Sequence, residues 1–132
     1  MLDYDPKILL AFGEAIRGNK KIFDWLLNNG YPELAALSRS INGSEEAYKW
    51  LMENNFAHYA AFDSAVEGSD KAYQWLVQHD FSFLVVFADA CRGKPKAIMW
   101  FRKSDLDIFL RVARIITDIR ASKTFDYHKL HF

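Results

Sequence analysis

Cysteine is nearly absent from this chain of 132 residues: Cys91 stands alone, and one thiol excludes an internal disulfide framework. No apolar run approaches the roughly 18 residues that a spanning helix needs, so none is expected. The opening Met1-Leu2-Asp3-Tyr4-Asp5 lacks the basic and long apolar segments of a signal peptide. A cytoplasmic protein without membrane association is the expectation. Charge of one sign is missing in sum, since seventeen basic residues cancel seventeen acidic ones. An overall basic footprint for nucleic acid is therefore excluded. The six glycines are scattered, which rules out a glycine-rich phosphate loop.

The zero net charge conceals a gradient. Residues 42–90 hold two basic and eight acidic residues, a net of −6, whereas residues 91–132 hold ten and four, a net of +6. Half of the chain is apolar and 16% is aromatic, enough for a real core in a single domain.

What organises the chain is a repeat. Gly18, Gly43, Gly68 and Gly93 are 25 residues apart, and so are Trp25, Trp50, Trp75 and Trp100. Leu26, Leu51, Leu76 and Phe101 follow the tryptophans. Ala15, Ser40, Ala65 and Ala90 lie three residues before the glycines, followed by Ile16, Ile41, Val66 and Cys91. The second copy shows the grammar. Leu34, Leu37 and Ile41 mark a first helix at i, i+3 and i+7. Gly43 ends it by adopting φ > 0. Ser44 caps a second helix whose first turn holds Glu45 and Glu46, where negative charge suits the helix dipole. Glu45 and Lys49 are spaced as an i, i+4 pair. Asn19 and Ser69 take the cap elsewhere, and Pro95 fills the first helical position of the fourth copy. Helices of about ten residues are too short to stand alone, so stacking must stabilise them.

The fold expected is all-α: an αα-hairpin solenoid of four tandem repeats (about 6–30, 31–55, 56–80 and 81–105) and a C-terminal capping helix, 107–122. Together they make one domain over residues 1–124, followed by a tail, 125–132, whose Phe125, Tyr127, Leu130 and Phe132 suit folding back. Asp118 replaces the glycine in the cap, so that helix should run on to about Ser122, with Arg111, Arg114 and Arg120 on its wet face.

The first copy, Gly18-Asn19-Lys20-Lys21-Ile22-Phe23-Asp24-Trp25-Leu26-Leu27-Asn28-Asn29-Gly30, resembles the second half of an ankyrin repeat. The small residue three before each glycine also fits ankyrin's first helix. Ankyrin's Thr-Pro-Leu-His opening is missing from every copy, and its closing glycine becomes Asn55, Asp80 and Asp105. The repeat is also shorter than ankyrin's ~33 residues, the shortfall falling at its β-hairpin finger. The resemblance implies a binding scaffold without catalysis, using the concave first-helix face because the fingers are gone.

Residue by residue, little chemistry announces itself. The tryptophans are expected in the core, where truncation would cost on the order of 3–5 kcal/mol. Cys91 occupies an apolar slot and is expected to be a buried hydrophobe, without the base a nucleophile needs. His128 and His131 have i, i+3 spacing but lack a third metal ligand. His58 and His79 are expected in solvent, as are the carboxylate pairs Glu45/Glu46 and Asp63/Glu67. No enzyme, cofactor or metal is expected.

Two surfaces remain. The first helices present a row Glu14, Arg39, Ser64, Asp89 and Arg114 beside a row Ala11, Ala36, Ala61, Val86 and Arg111. The small second row suits either a shallow groove for a partner's side chains or close packing between first helices. The basic end carries Arg92, Lys94, Lys96, Arg102, Lys103, Arg111, Arg114, Arg120 and Lys123. It suits a solubilising cap, a phosphate-backbone footprint or attraction to the acidic middle of another copy. Another protein is the expected partner, and nucleic-acid-backbone binding through the basic end is the alternative. Self-association stays open. The candidate contact residues are Glu14, Arg39, Asp89, Arg92, Arg111 and Arg114.

Overall fold

The computed structural model describes the backbone of residues 1–130 and the side chains of residues 1–122. Among the described residues the chain is all-helical, in the order α1 (Pro6–Ile16), α2 (Lys20–Asn28), α3 (Pro32–Ile41), α4 (Glu45–Glu53), α5 (Ala57–Val66), α6 (Asp70–Gln78), α7 (Ser82–Cys91), α8 (Pro95–Lys103) and α9 (Asp107–Leu130). No helix there is long and apolar enough to cross a membrane.

The turns follow the repeat. Gly18, Gly43, Gly68 and Gly93 take φ between 78° and 104°, a left-handed conformation that costs glycine least. Asn19 Oδ1, Ser44 Oγ and Ser69 Oγ accept the backbone N–H groups of Ile22, Ala47 and Ala72 at 3.1–3.2 Å. These are the caps that the sequence predicts. Lys49 pairs forward with Glu53, at 3.9 Å, instead of back to Glu45. Between repeats, Asn42 donates to the Ile16 carbonyl at 2.9 Å and Thr117 to the Cys91 carbonyl at 3.0 Å. Each satisfies a helix-end acceptor of the preceding first helix.

The solenoid closes on itself. Helices α1, α3, α5, α7 and α9 pack each against the next, and α9 packs back against α1. The odd-numbered helices therefore form a ring, and α2, α4, α6 and α8 lie outside it. Phe12, Leu37, Phe62, Phe87 and Ile116 are completely buried in the core, with Phe62 and Phe87 stacked at 4.8 Å. Gly13 stands at the closing seam: a Cβ there would come within 2.9 Å of Ile115 Cδ1. The cap helix has a second neighbour where an open array would have an end face.

Tyr4, just before α1, and Arg120, within α9, both reach α5, opposite the seam. At one mouth, Tyr4 meets Tyr59, hydroxyl to hydroxyl at 3.2 Å, and packs edge-on to Tyr31. At the other, Arg120 reaches Asp63 at 3.7 Å and Glu67 at 3.3 Å. Arg120 thus turns inward instead of lining a wet face. Helix α9 also runs beyond the end expected near Ser122. The tail side chains Phe125, Tyr127, Leu130 and Phe132, with His128 and His131, lie outside the described residues.

Candidate interaction surface

Each outer helix has little to bury. Leu26, Leu51, Leu76 and Phe101 are wholly inaccessible and lock α2, α4, α6 and α8 onto the ring. Of the tryptophans one position earlier, Trp25 and Trp100 sit on the flank, which corrects the expectation of a core position for these two, while Trp50 and Trp75 pack against the edge of the core. Trp25 is 45% exposed and Trp100 43%, while Trp50 and Trp75 are half-buried. Trp25, Trp50 and Trp75 lie flat against Tyr31, Phe56 and Phe81, at 5.7–6.2 Å between ring centres. Those partners are themselves 25 residues apart, so the spacing that marks them is present in the sequence. Trp25→Ala is accordingly expected to cost ~1–2 kcal/mol, well below the cost of a core aromatic. Urea denaturation checks this, and a loss of about 4 kcal/mol would restore the core assignment.

Beyond the tryptophans, Leu27, Met52 and Val77 are each about half exposed at equivalent positions. Leu27 and Met52 each form one wall of a groove that runs between successive outer helices. The groove between α4 and α6, about 760 Å³, has Met52 on one side, Trp75 on the other and Ala57 and Ala61 among its lining residues. Its counterpart between α2 and α4, about 410 Å³, has Leu27 facing Trp50 above Ala35 and Ala36. Of the row of small residues, Ala36 and Ala61 therefore line grooves.

The six candidate contact residues do not make one face. Arg39 holds its guanidinium 4.2 Å from the centre of the Phe23 ring, a contact between neighbouring repeats. Asp89 accepts from the Tyr73 hydroxyl at 3.1 Å and pairs with Lys94 at 3.3 Å. Arg114 pairs with Asp118 at 3.5 Å and lines a cleft with Arg92. Glu14 and Arg111 come together at the α1–α9 seam, beside Arg17.

Polar groups expected in solvent are found inside. Asp63 is 4% exposed and accepts from Ser40 Oγ at 2.6 Å, which corrects its placement on an outward face. It replaces the small residues Gly13, Ser38, Ala88 and Ala113 of the other copies. His58 is half-buried and stacked on Phe81 at 4.8 Å. Burial, aided by the N-terminal ammonium, holds its pKa below the usual histidine value. His79 is exposed, stacks on Trp75 at 4.2 Å and donates Nδ1–H to the Trp75 carbonyl, ending the outer helix as Asn29 and Asn54 do. Cys91 is buried as expected, and burial pushes its thiol pKa up. Among the described residues no three His, Cys, Asp or Glu side chains are grouped to hold a metal ion.

The chain matches no protein-family model, no curated protein and no solved structure, so its function has to be argued from its own surface.

Proposed function

We propose that the chain is a non-enzymatic protein-binding or scaffold module of the helical-repeat type, similar in logic to an ankyrin array without fingers. One observation carries the proposal. Five of the exposed large apolar residues recur in register along the outer helices, Trp25 with Trp100 and Leu27 with Met52 and Val77, beside the half-buried Trp50 and Trp75. Single exposed apolar residues are ordinary, but a contiguous apolar stripe beside polar residues marks an interaction surface. Aromatic anchors flanking a pocket are also the side chains that dominate interface energetics. The surface is therefore the outer-helix grooves, not the concave first-helix face implied by the ankyrin resemblance, because ring closure turns that face inward.

Photo-crosslinking tests the reading. A photoreactive residue at Met52 or Val77 is expected to capture a common, discrete set of proteins in the native host. The same residue at the exposed Lys21 should capture that set at least tenfold less. Equal yields at all three positions would sink it. Nucleic-acid-backbone binding by the basic end has less support, because Lys94, Arg114 and Arg120 are already in ion pairs. A phosphate-backbone binder would be retained on a polyanion column and released steeply by salt.

A further inference from the structure

The ring has five inner helices and, among the described residues, four outer ones. Each outer helix follows one inner helix and packs against it and the next: α2 on α1 and α3, α4 on α3 and α5, α6 on α5 and α7, α8 on α7 and α9. Among the described residues the α9–α1 gap has no such cover, because α9 runs straight on where Asp118 replaces the turn glycine. Leu10 records the vacancy. Its counterparts Ala35 and Ala60 are completely buried and Val85 and Leu110 partly so, whereas Leu10 is 42% exposed. Beside it lies a cleft of about 270 Å³, floored by Gly13, Val112 and Ile115.

The rim of this cleft is basic. Arg111 stands where the other copies have Ala11, Ala36, Ala61 and Val86. Arg17 lines the cleft with it, and Lys7 lies on the same face of α1 as Leu10, Glu14 and Arg17 by helical spacing. The lining itself holds Arg17 and Arg111 against Glu14, a local charge of +1. The fold itself displays the occupant such a gap accepts, four times over. That occupant is a helix of about nine residues with one wholly buried Leu or Phe, and in α4 and α6 it begins with acidic residues.

We propose that the α9–α1 seam is a docking slot for an acidic amphipathic helix of another protein, which takes the fifth outer-helix position. A single large apolar side chain of that helix packs against Leu10 and Ile115, and its carboxylates face Arg17 and Arg111. This is helix-in-groove recognition, in which apolar anchors give affinity and rim charges set partner and register. The inference rests on the chain being a protein-binding module but uses a different surface from the outer grooves.

The probe is a fluorescent peptide of residues 43–55, the chain's own acidic outer helix. A lactam between Glu45 and Lys49 holds it helical, and Glu46 and Glu53 give it a net charge of −2. Fluorescence anisotropy with the full chain is expected to show saturable binding. The double variant Arg17→Glu/Arg111→Glu should weaken it at least tenfold, and so should Leu51→Asp in the peptide. Both arginines are exposed, and circular dichroism confirms that the variant is folded. The basic peptide of residues 93–105 should bind at least tenfold more weakly. The inference is overturned if the acidic peptide does not bind, binds no better than the basic one, or ignores the double variant. It is also overturned if light scattering shows a dimer that the double variant dissociates, since a second copy then fills the slot. Lost peptide binding with crosslinking at Met52 retained removes the slot alone. Loss of both removes the protein-binding reading.

Discussion

Phe62→Ala is expected to cost ~3–5 kcal/mol, a large share of the stability of a domain this size. Phe62 is inaccessible to solvent, stacks on Phe87 at 4.8 Å and belongs to a core shared by helices from every part of the chain. In an open array, neighbouring repeats slide to fill part of such a void. Here α1 is pressed against α9, so the ring has no free edge from which to contract, and the cavity persists. Urea denaturation should show a single transition moved to lower concentration, with an unchanged slope. A loss below about 1.5 kcal/mol would mean that the centre is loosely filled and that closure is not tight.

Arg120→Ala is expected to cost about 3 kcal/mol, the lower end of what breaking a buried ion pair costs, because a quarter of the Arg120 side chain remains accessible. The substitution leaves the Asp63 carboxylate buried with the Ser40 hydroxyl while removing the nearby guanidinium. Much of the loss is therefore the desolvated charge left behind. The double variant Asp63→Ala/Arg120→Ala should be less destabilised than Arg120→Ala alone, since alanine suits the small-residue position that Asp63 occupies. Additive losses in the cycle would show that the two side chains act separately and that α9 is not held to α5 through this pair.

Much of the architecture is legible in the sequence because it is local. Helix, glycine turn and polar cap recur every 25 residues, and each rests on interactions within a few residues of itself. Closure is different. It depends on the rotation between successive repeats summed over the whole ring, which no single position encodes. Its one local trace is Gly13, a glycine within a helix at the place where the last copy's Ile115 packs. Asp63 misleads for a related reason, since its partner Arg120 lies in the segment where the repeat has lapsed. The tryptophans mislead because a nine-residue outer helix has room for one fully buried key, and that key is the leucine or phenylalanine that follows.

The seam has a consequence for how the chain is wired. A ring is indifferent to where it is cut, so circular permutants opened at any of the four hairpins are accessible if Arg120 is joined to the start of α1. Those two points lie at opposite mouths, and the join must climb the height of an inner helix. A linker shaped like one more outer helix spans that distance and covers Leu10 on the way. The permuted protein would then be a continuous five-repeat circle, with its break moved wherever a designer chose.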